Sequence, residues 1–121
     1  MYPGPMTVDD TWLTVPDYAE RLGTTASHVR ELLREGYLFA VRRGERSTLQ
    51  IPAATIVEGE DGPEVVATLR GTLTLLRDAG FADEEAADWL MAHEEELGTS
   101  PLGALCEGRR AHVRRLAQAL L

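Results

Sequence analysis

Apolar residues first recur at helical spacing just after Trp12: Val15, Tyr18, Ala19 and Leu22 mark one face of a short helix. Thr14 stands where such a helix needs an N-cap. Pro16 suits the first turn, Asp17 favours the positive helix end, and Gly23 stops the helix. A second helix is predicted over Ala26–Glu35, with Thr25 as its cap and Gly36 as its end. Its inner stripe is Ala26, Val29, Leu32 and Leu33; Ser27, His28, Arg30, Glu31 and Arg34 fall on the opposite face. Only Gly23-Thr24-Thr25 separates the two helices, the length and glycine usage of a helix-turn-helix. The period then changes. Leu38–Arg42 and Thr48–Ile51 read as strands around the polar turn Arg43-Gly44-Glu45-Arg46-Ser47, which makes a two-stranded hairpin, a wing. Pro52 ends the second strand and opens a short helix through Ile56.

Val57–Pro63 is acidic and glycine-containing and reads as a linker. From Glu64 the period is helical again, with Val65, Val66, Leu69, Leu73, Leu76 and Ala79 on one face and Gly80 as the stop. Gly71 inside this helix costs about 1 kcal/mol against alanine and leaves room for close packing. Asp83 is expected to cap a third helix with Ala86, Ala87, Trp89 and Leu90. Ser100-Pro101 starts a fourth with Leu102 and Leu105, and Arg109–Leu120 forms the last, striped by Val113, Leu116, Ala117 and Leu120. The expected architecture is therefore mainly α. A flexible tail (1–11) precedes a winged helix-turn-helix (12–57), a linker (58–63) and a small all-helical domain (64–121). A lobe of about 60 residues is marginally stable alone, so the two lobes should lean on each other.

Composition narrows the class. With 44% hydrophobic and 26% charged residues the chain is globular in type. No apolar run approaches the roughly 20 residues of a membrane span, and Met1–Asp10 lacks the basic and apolar regions of a signal peptide. The single cysteine, Cys106, forms no internal disulfide and no metal cluster. A cytoplasmic location fits, with Cys106 expected as a small buried residue near a helix end. The net charge of −8 argues against general nucleic-acid binding, but its distribution is uneven. Residues 26–51 hold five arginines (Arg30, Arg34, Arg42, Arg43, Arg46) against Glu31, Glu35 and Glu45, a local +2 that leaves −10 elsewhere.

Catalytic signatures are missing from the pattern. His93-Glu94-Glu95-Glu96-Leu97 opens like a zinc-protease helix, but Leu97 stands where the second histidine is required. Glu94, Glu95 and Glu96 read as a solvated helix end, and His28 and His112 have no nucleophile at a recognised spacing. There is no phosphate-cradling glycine loop. The chain is read as a non-enzyme with no cofactor and no metal.

Residues 12–56 resemble the N-terminal winged module of excisionases and MerR-type regulators. The likeness is carried by Leu13-Thr14-Val15-Pro16, Ala19-Glu20-Arg21-Leu22-Gly23, Leu33-Arg34-Glu35-Gly36, Ala40-Val41-Arg42-Arg43 and Ile51-Pro52. Over about residues 12–121 the chain is similar to a family of small actinobacterial DNA-binding proteins, through Gly71–Phe81, Trp89-Leu90, Pro101–Leu105 and Arg114–Leu120. The C-terminal part also resembles the toxin-binding domain of Xre/MbcA/ParS-type antitoxins, through Trp89-Leu90, Leu97-Gly98, Ser100-Pro101-Leu102, Leu105–Gly108 and Val113. Ala26 and Tyr37 depart from the winged pattern, which commonly has basic residues there.

The resemblance implies double-stranded DNA as partner and transcriptional regulation as role. Ser27, His28 and Arg30 would meet base edges in the major groove, where an arginine fork matches guanine. Arg34 would meet phosphate, Thr25 would cap and also reach phosphate, and Arg42, Arg43 and Arg46 would place the wing on the backbone or minor groove. The same spacing also lets these arginines pair with Glu31, Glu35 and Glu45 on a solvated surface. An alternative is an antitoxin-like interaction module whose C-terminal domain binds a protein partner. Arg109, Arg110, Arg114 and Arg115 on the last helix are expected to balance Glu94–Glu96. Thr7 and Thr11, near Asp9 and Asp10, offer hydroxyls to a Ser/Thr kinase whose product charge would oppose DNA binding.

Overall fold

The computed structural model describes residues 11–120. The tail expected over 1–11, with Thr7, otherwise lies outside the described residues. The chain enters through β1 (Trp12–Thr14), turns into α1 (Val15–Leu22) and α2 (Ala26–Arg34), and forms the wing from β2 (Val41–Arg43) and β3 (Thr48–Pro52). A single 3-10 turn, Ala53–Thr55, leads to a second hairpin, β4 (Ile56–Gly59) and β5 (Gly62–Val65). Four helices follow: α3 (Leu69–Asp78), α4 (Asp83–Met91), α5 (Pro101–Cys106) and α6 (Arg110–Gln118). This is the mainly α, winged helix-turn-helix fold with a helical C-terminal part that the periodicity predicts.

Three elements correct the sequence reading. The wing sheet has three strands in the order β1-β3-β2, since Trp12–Thr14 pairs antiparallel with Gln50–Pro52. The strand expected over Leu38–Arg42 begins only at Val41. Following the register Val41↔Gln50, Phe39 would face Pro52, which has no N–H to offer a ladder; Leu38 and Phe39 enter the core instead. The segment expected as a linker and a helix start is the β4–β5 hairpin, paired from Ile56↔Val65 to Gly59↔Gly62. The β-branched Ile56, Val57 and Val65 suit a pleated strand. Val66 N then donates to Thr55 O at 2.9 Å, so α3 starts at Leu69 rather than Glu64.

Helix ends also differ in detail. The N-cap of α4 is Ala82, not Asp83; Glu85 turns back to accept a bond from Ala82 N at 2.8 Å. Ser100 caps α5 as predicted, its Oγ accepting from Gly103 N at 2.9 Å. α6 is shorter than expected at both ends. Cys106 lies at the end of α5 but is exposed, not buried; its thiol donates to Ala54 O at 3.3 Å. Partial desolvation of the sulfur, and then the neighbouring Glu107 carboxylate, push that thiol's pKa up even though the residue reaches solvent.

One core serves both halves. Val15, Tyr18, Val29, Leu38, Phe39 and Ile51 from the winged part join Leu69, Leu73, Leu76, Leu90, Leu102, Leu105 and Val113 in one buried cluster. Across the junction α1 packs on β5, α5 on the 3-10 turn and α4 on β2. Tyr18 makes the decisive polar tie. Thr55 Oγ1 spends its one hydrogen on Pro52 O (2.8 Å), so the 2.6 Å contact with Tyr18 Oη must be donated by tyrosine. That bond fixes the helix-turn-helix against the end of the wing. No helix among the described residues is long and apolar enough to cross a membrane.

Candidate nucleic-acid interface

The presentation of α2 follows from its ends. Gly23 adopts the left-handed conformation (φ 80°) and its N–H closes α1 onto Ala19 O. Thr25 then accepts a bond from His28 N at 3.1 Å, capping α2. At the other end Gly36 (φ 85°) reverses the chain, and Tyr37 N donates to Leu32 O at 2.9 Å. A Cβ at Gly36 would stand 3.1 Å from Arg77 Nη1, a tight approach to the end of a long side chain. Val29 is fully buried, and Ala26, Leu32 and Leu33 pack on the core. The outer face is left to Ser27, His28, Arg30, Glu31 and Arg34, all exposed, as is Thr25.

The pairing between these arginines and their neighbouring acids, open in the sequence, does not occur. Among the described residues neither Arg30 nor Arg34 nor Arg46 is in an ion pair. Glu31 reaches His28 instead, Nδ1 to Oε1 at 3.6 Å. The guanidinium groups of α2 therefore keep their full donor sets for an outside acceptor.

The wing arginines part company. Arg42 donates to Ser47 O at 3.0 Å and steadies the four-residue turn, in which Gly44 (φ 82°) and Ser47 (φ 52°) are both left-handed. Arg43 lies over the Trp12 ring, 4.2 Å from its centroid, in a recess shared with Val41, Ala87, Asp88 and Met91 of α4. Successive strand residues point to opposite faces, which is why adjacent arginines separate in this way. Arg46, in the turn itself, is exposed. The structure thus brings Thr25, Ser27, His28, Arg30 and Arg34 onto one helix face and leaves Arg43 beside α4.

The helical half contributes groups that spacing alone did not single out. Arg70 of α3 lies over the ring of Tyr37, 4.5 Å from its centroid. No sequence signal joins these two residues, since the contact is made by tertiary packing. The expected balance between α6 and Glu94–Glu96 is also corrected. Only His112 reaches Glu96, at 3.8 Å, while Arg109 bonds Leu97 O (2.8 Å) and Glu107 (3.2 Å). Arg110, Arg114 and Arg115 are exposed and outside any ion pair among the described residues. Glu94–Glu96 sit in a tight turn beyond the end of α4, closed by Glu94 N donating to Thr99 O at 3.0 Å. No group of histidine, cysteine and carboxylate residues suited to hold a metal occurs among the described residues.

Comparison with known proteins agrees with this architecture. Residues 6–56 match the family described as "DNA-binding protein Rv2175c, wHTH domain", and residues 66–121 match "Rv2175c C-terminal domain of unknown function". The chain is 33% identical over 124 residues to DNA-binding protein Rv2175c of Mycobacterium tuberculosis, covering 93% of this chain and 82% of that protein. It superimposes on the NMR structure of Rv2175c with a TM-score of 0.75 at 35% identity, again over 93% and 82% of the two chains. With a free basic helix face, a wing and both domain matches in chain order, this protein belongs to the Rv2175c family.

Proposed function

We propose that this chain binds double-stranded DNA as a transcriptional regulator, laying the outer face of α2 in the major groove and the wing turn on the backbone. The observation that carries this reading is the state of Arg30 and Arg34: both are exposed and neither is held by the protein's own acids. Arg30, one turn into the helix beyond Ser27 and His28, is the base reader, and Arg34 and Arg46 meet phosphate. Thr25 adds a hydroxyl at the helix entrance. Arg42 and Arg43 act from fixed positions, the one bracing the turn and the other stacked on Trp12.

Counterion release bounds the interaction. At about 0.9 per neutralised phosphate, three free arginines give a log–log salt slope of about 3, and all five no more than about 4.5. Titrating a short duplex with Arg30→Ala should show weaker binding, by about 1–3 kcal/mol at the preferred sequence, with relaxed sequence preference and an unchanged fold. Unaltered binding by both Arg30→Ala and Arg34→Ala would remove this surface from consideration. The name of the relative, DNA-binding protein Rv2175c, supports the same class of partner.

Regulation by a Ser/Thr kinase at Thr7 or Thr11 belongs to the same proposal. Thr11 leads into β1, its carbonyl accepting a bond from Ala53 N at 2.9 Å, and Thr7 lies outside the described residues. A phosphate would add about −1.5 to −2 of charge to a chain that must approach phosphate. Thr7→Glu should therefore lower duplex affinity; affinity equal to wild type would remove the switch.

A further inference from the structure

Resting on that DNA-binding reading, we infer that Arg70 is a further phosphate-binding residue, through which the C-terminal helical half enters the DNA interface beside the end of α2. Tyr37 is anchored on the last turn of α2 by its N–H to Leu32 O, directly after Gly36, and the residue is 38% exposed. Few large apolar side chains stand out on this surface; among the described residues only Leu120 is a comparable case. The Tyr37 ring carries the Arg70 guanidinium on its face. Arg70 is itself exposed, with no carboxylate in ion-pair reach among the described residues.

The stack explains how such a residue would work. A guanidinium held over a ring is attracted through its charge and keeps its N–H donors, the groups that phosphate oxygens accept. Holding a long side chain against a ring also reduces the rotamer freedom it would lose on binding. Arg34 lies in the last helical turn of α2, three residues before Tyr37, so on this inference Arg70 adds to the cations at that end of the recognition helix.

A second cation stands at the same turn of α3. The Arg114 guanidinium of α6 occupies the space above Gly71, where a Cβ would come within 3.2 Å of its Nη2. The wider charge makes the placement informative. Residues 52–121 hold thirteen acids against six arginines, so this half repels a phosphate backbone in general. It can lie close to DNA only where its own cations gather, and the start of α3 brings together Arg70 and the Arg114 guanidinium over Gly71. These are sequence-independent contacts that set position and affinity, distinct from the base reading assigned to Arg30.

The test compares the full chain with Arg70→Ala and Arg30→Ala, titrated by fluorescence anisotropy against preferred and scrambled 20-bp duplexes across a salt series. Arg70→Ala should weaken binding about three- to ten-fold on both duplexes alike and lower the log–log salt slope by about 0.9, with the thermal melt of the free protein unmoved. Arg70→Lys, which keeps the charge, should restore the slope. If Arg70→Ala binds with wild-type affinity and slope while Arg30→Ala is impaired, the inference is overturned and the winged-helix interface stands. A loss of affinity without a change of slope also overturns it, because no phosphate contact has then been removed. If neither variant is impaired, the DNA-binding reading of α2 fails with it.

Discussion

The buried hydroxyl of Tyr18 shows how much a single side chain settles in this fold. It donates to Thr55 and is wholly enclosed, and burial is the main cause that pushes its pKa up to about 12. In the unfolded chain the phenol ionises near its ordinary value of 10. The folded state therefore binds more protons between these two values, and stability must fall as pH rises through them. The contribution is fully present below about pH 10 and lost by about pH 12. Tyr18→Phe should cost about 1 kcal/mol at neutral pH through the lost hydrogen bond, and its denaturant midpoint should decline less steeply between pH 10 and 12 than that of wild type. Equal alkaline slopes in the two proteins would show that Tyr18 is not the group responsible. Residue-scale contacts of this kind were the least legible in the sequence. Tyr18 was readable as a core position, but its Thr55 partner was not, and neither were the stacks of Arg43 on Trp12 and Arg70 on Tyr37. In each the partners are brought together by packing, and periodicity carries no information about that. The Arg70 stack is the plainest instance: the winged pattern implies a cation at position 37, the chain has tyrosine there, and the cation arrives from another element.

At the scale of elements, legibility follows locality. α1 and α2 were readable because every determinant lies within four residues: Thr14 and Thr25 as caps, Val15–Leu22 and Ala26–Leu33 as stripes, Gly23 and Gly36 as stops. β1 and the β4–β5 hairpin were not. A strand of three or four residues has no period of its own to display, and it exists only because a partner strand completes its hydrogen bonds. Val65 fits a helical stripe and a strand equally well, and pairing with Ile56 decided for the strand. The Thr25 cap gives a direct check on the recognition helix. Thr25→Ala should lower stability by about 1 kcal/mol in chemical denaturation, while Thr25→Ser, which keeps the accepting oxygen, should lie within a few tenths of wild type. A Thr25→Ser variant as unstable as the alanine variant would mean that the methyl, not the cap, matters.

The whole molecule reconciles two features that conflict when taken alone: a net charge of −8 and a DNA-binding architecture. The shared core holds the winged part and the helical part as one body, so the acids of the second half travel with the recognition helix to any duplex. On the proposed reading their repulsion lowers affinity for arbitrary DNA, and binding depends on the few arginines presented at α2, the wing turn and the start of α3. The central claim is that the outer face of α2 and the wing turn form the DNA-facing surface. The most direct test is an NMR titration of the isotope-labelled full chain with a short duplex, following each backbone amide. The account predicts the largest, saturable shifts at residues 25–34 and 44–47. Saturable shifts confined to other surfaces, with those two segments unmoved, would contradict it.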